Sequence, residues 1–179
     1  MMTTPSQPPG PFFGVGLPYD DGPSIVPQWH TDAIRIRGRV LDGEGEPVPD
    51  ALVEMWQADS SGLPSAAVGA LRRDPFGFCG FGRCGTDRDG SYWFSTIKPG
   101  HADGSAPHAA VLVFARGLLK PVATRVYFPE DADAHAGDPV LSAVDPKRRA
   151  TLIARRDDDR LYRFDVHLQG ENETVFFAL

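Results

Sequence analysis

The side chains here that could do more than carry charge are few. There are five histidines (His30, His101, His108, His135, His167), four tyrosines (Tyr19, Tyr92, Tyr127, Tyr162) and two cysteines (Cys79, Cys84). By count they would suffice for a metal site. By spacing they do not, because no two histidines share a metal-ligand separation. Cys79 and Cys84 alone cannot complete a structural zinc site. The chain holds no Walker loop, nucleophile elbow or His-Glu-x-x-His motif. Tyr92 and Tyr162 fall on apolar stripes of expected strands and read as core, as does Tyr127 in a short strand. His30, His101 and His135 lie in expected loops, and His167 on a polar strand face.

The elements that must position these residues are those of a turn-rich β protein. At 179 residues one compact domain is expected. Gly (19) and Pro (17) make about a fifth of the chain, against a usual ~12%. With 41% hydrophobic residues, this favours strands joined by turns over disorder. The net charge of −6 argues against nucleic acid or an anionic membrane as partner. No apolar run approaches the ~20 residues of a membrane span. Residues 1–13 lack the basic start and apolar centre of a secretory signal, so a cytoplasmic protein with two free thiols is expected.

Residues 1–30 hold seven of the 17 prolines and read as an extended N-terminal arm. Phe12, Phe13, Val15, Leu17, Tyr19 and Trp29 on it need a surface, either their own domain or a partner chain. Residues 31–179 form the domain proper. Ile34–Val40 alternates with period two, as a half-wet strand does. Strands are also expected at 52–57, 91–95, 124–128, 161–169 and 173–178. The nearly continuous apolar run 109–115 reads as a strand covered on both faces. Residues 59–80 form a long loop, and Asp87-Arg88-Asp89-Gly90 a hairpin turn. Short helices are expected at 130–136 and at 145–153, the latter from an N-cap Asp followed by Pro. The charges at 155–159 read as a solvated loop. Seven or so short strands with few helices make an antiparallel β-sandwich or barrel.

An ordered series of motifs narrows this. Gly38-Arg39-Val40-Leu41-Asp42-Gly43 with Pro47-Val48-Pro49-Asp50-Ala51 is shared by many prealbumin-like sandwiches. With Trp56-Gln57-Ala58-Asp59, Phe81-Gly82-Arg83, Thr86-Asp87, Gly90 and Thr96-Ile97-Lys98-Pro99-Gly100, the chain resembles the intradiol ring-cleaving dioxygenases. These are iron(III) enzymes that split catechols between the two hydroxylated carbons. Ala106-Pro107-His108, Leu112–Gly117, Thr124–Phe128, Tyr162–Asp165 and Gln169–Phe177 look like the metal-free subunit of the two-subunit members. The match runs over residues 4–179. The fold implied is an all-β, antiparallel, prealbumin-like sandwich of the intradiol type.

The family's catalytic subunit holds ferric iron through two Tyr and two His, a hard cation on phenolate oxygen and imidazole nitrogen. Carried over by motif, those positions are Pro64, Ala102, His108 and Ala110 here, and one donor remains. The Arg expected three residues before the first His is Ser105. His108 then reads as a hydrogen-bonded structural residue, and no metal is expected in this chain. The resemblance implies a homologous iron-bearing partner subunit in a higher oligomer, with protocatechuate and O2 as substrates.

It also implies that Gly10, Pro11 and Phe12 line the partner's pocket and that Arg125 adds positive charge at its mouth. Protocatechuate carries a carboxylate, which a guanidinium attracts and orients. Pro8-Pro9 departs from the family, where a Thr and a small residue are common. A self-sufficient intradiol enzyme and a non-enzymatic scaffold domain are the alternatives.

Overall fold

The computed structural model describes residues 7, 8, 10, 12–65, 77–102 and 104–178. Part of the expected 59–80 loop, and Pro9 and Pro11 of the arm, lie outside them. Nine strands form two sheets among the described residues. One carries β1 (Ala33–Leu41), β4 (Ser91–Ile97), β7 (Arg155–Asp158), β8 (Leu161–Arg163) and the two-residue β9 (Val166–His167). Its order is β4-β1-β8-β7, with β9 also on β1. The other runs β3-β2-β5-β6, from β2 (Leu52–Gln57), β3 (Phe81–Gly85), β5 (His108–Phe114) and β6 (Val122–Tyr127). All pairs are antiparallel except β8 and β9 on β1, which run parallel. Helix is confined to α1 (Phe13–Gly16), α2 (Ala132–His135) and α3 (Pro139–Ala143), with 3-10 turns at Pro129–Asp131 and Arg149–Leu152.

Alternation builds the core. Ile34, Ile36 and Val40 of β1 and Tyr92 and Phe94 of β4 meet Val53, Met55, Ala109, Val111, Val113 and Val126 of the other sheet. Phe94 is fully buried, which contributes about 2–3 kcal/mol by transfer from water. Gly38 lets the chain's return close on β1. A Cβ there would lie 1.7 Å from the Phe164 carbonyl oxygen, which also accepts from the Tyr92 hydroxyl at 2.5 Å.

The segment expected as an arm joins the sandwich at its end. Ile25 and Val26 are buried, both their amides donate to the Ser95 carbonyl, and Ser95 N donates to Pro23 O. These residues cover the free edge of β4, as edge strands require. Phe12, Val15 and Trp29 remain largely exposed.

Several local expectations are corrected. β3 has no counterpart among the expected strands. The solvated loop at 155–159 is β7, because Arg156 and Arg155 pair with Tyr162 and Arg163 across a tight turn. The final strand at 173–178 is only a bridge from Phe177 to Ala123. The run 109–115 is not covered on both faces. His108, Ala110, Leu112 and Phe114 are half-buried on the outer side. The helix at 145–153 is a turn followed by a 3-10 turn. The Asp145 carboxylate accepts from Lys147 N and its carbonyl from Arg148 N, and Lys147, Arg148 and Arg149 offer no apolar stripe to bury. The same Asp-Pro signature does cap a helix at Asp138, where Leu141 packs inward. Cys79 and Cys84 are not joined in a disulfide.

On the outer face of the first sheet, Asp157 accepts from Arg155, Arg37 and Arg163 at 2.7, 3.2 and 3.0 Å. Their hydrogen bonds and charge, Arg155's first, hold its carboxyl down at about 2. A depressed carboxyl stabilises the fold above the unfolded value near 4. That contribution disappears as pH falls through about 2. Asp157→Asn should therefore be less stable than the parent at pH 7, with the gap closing between about pH 4 and 2 in urea titrations. Gly38→Ala should destabilise by about 3 kcal/mol, the upper end of the overpacking range, in the same assay.

Candidate functional site

The pleat sorts the four-stranded sheet into an inner and an outer face. In register across the outer face, Phe81, Trp56, Ala110 and Arg125 form one row, with His108 beside Tyr127 in the next. Trp56 stays 49% exposed although its ring lies 4.2 Å from that of Phe81. Glu54 is buried under the Arg83 guanidinium, which donates through Nε and Nη2 at 2.8 and 2.6 Å.

The fold sets the four positions where the resemblance expects iron ligands in two pairs. His108 and Ala110 share the outer face of β5. Pro64 bridges Ala58 just after β2, and Gly100 N donates to Asp59 O of the same loop. Gly62, at φ +83°, packs so tightly on His101 that a Cβ would meet its carbonyl oxygen at 1.7 Å. That brings Ala102 against the Pro64 loop. The donors do not fit ferric iron: a proline, two alanines and one imidazole offer a single ligand. Among the described residues no three His, Cys, Asp or Glu cluster so as to hold a metal.

His108 is itself engaged. Its Nδ1 lies 2.8 Å from the Ala106 carbonyl, which can only accept, so Nδ1 carries the proton. Burial lowers its pKa, helped by the charge of Arg125; the bond to Ala106 O and the charge of Asp138 oppose this without cancelling it.

Arg125 stands on β6 with Nη1 3.3 Å from the Tyr127 hydroxyl. That hydroxyl in turn donates to Asp138 Oδ1 at 3.2 Å. Asp138 is fully buried and accepts from Val140 N, Leu141 N and Ala106 N at 2.8, 2.8 and 2.9 Å. Burial alone would raise its carboxyl; the bonds from Leu141, Ala106, Tyr127 and Val140 hold it below the usual range. Burial pushes the Tyr127 phenol up to about 12 against the opposing pull of Arg125.

Tyr127 is core, as expected, yet it also joins two polar groups that sequence reasoning missed as a set. The Asp138-Pro139 dipeptide was the available signal, but nothing local pairs it with Tyr127.

The other expected site residues lie elsewhere. Gly10 O accepts from Phe13 N at 3.3 Å, and Phe12 is 79% exposed at the start of α1. The residues just after α1 pack beside β3: Leu17 O accepts from Arg83 Nη1, and Pro18 lies against Gly85. This end of the arm and Arg125 therefore sit toward opposite edges of one sheet, with β2 and β5 between. Pro11 lies outside the described residues.

A dioxygenase family model matches residues 10–170. The chain is 43% identical to the protocatechuate 3,4-dioxygenase alpha chain of Burkholderia cepacia, over 99% of this chain and 98% of that one. It is 36% identical to the beta chain from the same organism, over 80% of this chain and 67% of that one. Among solved structures, an intradiol ring-cleavage dioxygenase from Tetranychus urticae superposes with a TM-score of 0.65 at 19% identity, covering 85% of this chain and 88% of that one.

The His108 environment makes a spectroscopic prediction. By 15N-correlated NMR its ring should titrate below the usual value, about 6.5, and remain the Nδ1–H tautomer at neutral pH.

Proposed function

The chain belongs to the intradiol ring-cleaving dioxygenase family, and we propose that it is the alpha, non-iron-binding subunit of a protocatechuate 3,4-dioxygenase. A homologous beta subunit would hold the Fe(III). Together they would cleave protocatechuate between its hydroxylated carbons, inserting both atoms of O2 to give 3-carboxy-cis,cis-muconate. The supporting observation is a contrast: a chain 43% identical to an alpha chain over nearly its whole length has one donor at four ligand positions. Iron bound to the partner supplies the chemistry of oxygen and catechol activation; this chain's own residues bind, orient and enclose.

In this reading Gly10, Pro11 and Phe12 line the partner's pocket, and Arg125 meets the substrate carboxylate. The exposure of Phe12 and Val15 on α1 and of Trp56 on the outer sheet face leaves large apolar groups open to a partner chain. Pro8 in place of a hydroxyl-bearing residue makes that part of the pocket less polar.

Purified alone, the chain should contain no stoichiometric iron and should not consume protocatechuate. Co-expressed with a homologue that keeps both Tyr and the His-x-His pair, it should form a stable, iron-containing complex. Iron and activity in the isolated chain would instead identify a self-sufficient enzyme. Failure to associate would identify a scaffold domain. In the complex, Arg125→Gln should raise KM for protocatechuate about tenfold, the effect of losing one charge-assisted hydrogen bond. Unchanged kinetics would remove Arg125 from the site.

A further inference from the structure

We infer that Tyr127 and Asp138 are positioning residues for Arg125, holding its guanidinium where the substrate carboxylate arrives; the inference rests on the role proposed for Arg125. The three groups form one directed chain. Arg125 Nη1 donates to Tyr127 Oη at 3.3 Å, and Tyr127 Oη donates to Asp138 Oδ1 at 3.2 Å. A phenol that donates to a carboxylate is a better acceptor at the same oxygen, so the two bonds reinforce each other.

Each link is held from outside. Arg125 and Tyr127 are two apart on β6 and so share the outer face. Tyr127 is fully buried in a cluster with Ala106, Leu141 and Leu152. The rings of His108 and His135 flank it at 5.5 and 5.7 Å. Asp138 is fixed by the backbone amides of Ala106, Val140 and Leu141. The phenol therefore has no other place to go, and the guanidinium bound to it inherits that placement.

The choice of a phenol has an electrostatic consequence. Arg83, Arg37, Arg39, Arg116 and Arg148 are each paired directly with a carboxylate, which neutralises them. Arg125 has no carboxylate partner among the described residues. Asp138 orients it through a neutral hydroxyl while spending its own charge on backbone amides. One of five N–H donors is used and the charge stays available for an incoming anion. A fixed guanidinium also avoids losing the rotamer freedom of a long side chain at the moment of binding.

The test uses the assembled two-subunit enzyme, with melting temperature and subunit stoichiometry checked for each variant. Tyr127→Phe deletes only the hydroxyl. It should raise KM for protocatechuate about fivefold, the loss of one hydrogen bond, and by more than it lowers kcat. KM for catechol, which has no carboxylate, should move much less. In an Arg125→Gln background the same change should add nothing.

If Arg125→Gln leaves KM unchanged, the assignment of Arg125 fails and this inference with it. If Arg125→Gln raises KM but Tyr127→Phe does not, the positioning role alone is overturned. Equal effects on protocatechuate and catechol, or effects that multiply in the double variant, overturn it too. Should the Phe variant not assemble, Asp138→Asn, which retains an acceptor for the α3 cap, is read by the same criteria.

Discussion

The pleat of β5 divides this molecule. Successive side chains on a strand point to opposite faces. Ala109, Val111 and Val113 therefore enter the sandwich, while His108, Ala110 and Leu112 must stand on the outer side. The core cannot be built in this register without presenting that outer row, and a one-residue slip would exchange the two. Every feature of the candidate site depends on it. The family's paired ligand positions share one face because they are two apart. Arg125 faces the same way because β6 pairs Ala110 with it.

On that face the polar groups are served in an orderly way. Glu54 is satisfied by Arg83 and Asp138 by three amides and a phenol, while Gln57 on the inner face meets the Ile97 carbonyl and the Thr96 hydroxyl. Buried polar groups left without partners are expensive, so the imidazole on this face must find one. His108 does so through the Ala106 carbonyl. Its ring now packs on Tyr127 as part of the support under Arg125.

Much of the fold was legible from the chain. A period-two run marked β1 and a nearly continuous apolar run marked β5. The turn before Ser91, expected to close a hairpin, instead carries the chain from β3 in one sheet to β4 in the other. The misreadings share a cause. β7 carries Arg-Arg-Asp-Asp and has no apolar face of its own; it is a strand because Tyr162 and Arg163 pair with it. The segment 173–178 makes a single bridge, from Phe177 to Ala123. Asp138 and Asp145 are each followed by proline, and only the apolar turn after Asp138 is drawn into a helix. Of the site, the four candidate ligand positions and Arg125 could be proposed from the motifs. The phenol and carboxylate behind Arg125 could not.

The sequence by itself determined the β class and the apolar stripes that became the core. These depend on residue type and on neighbours two or three apart, where backbone geometry is the same in every protein. Only the tertiary structure decided the parallel return of β8 and β9 to β1. It alone placed Leu17 and Pro18 at the opposite edge of a sheet from Arg125, and it alone joined Tyr127 to Asp138, eleven residues away. Those outcomes turn on which surfaces remain unburied once the strands have paired. That is a property of the packed chain as a whole, and no local stretch of residues encodes it.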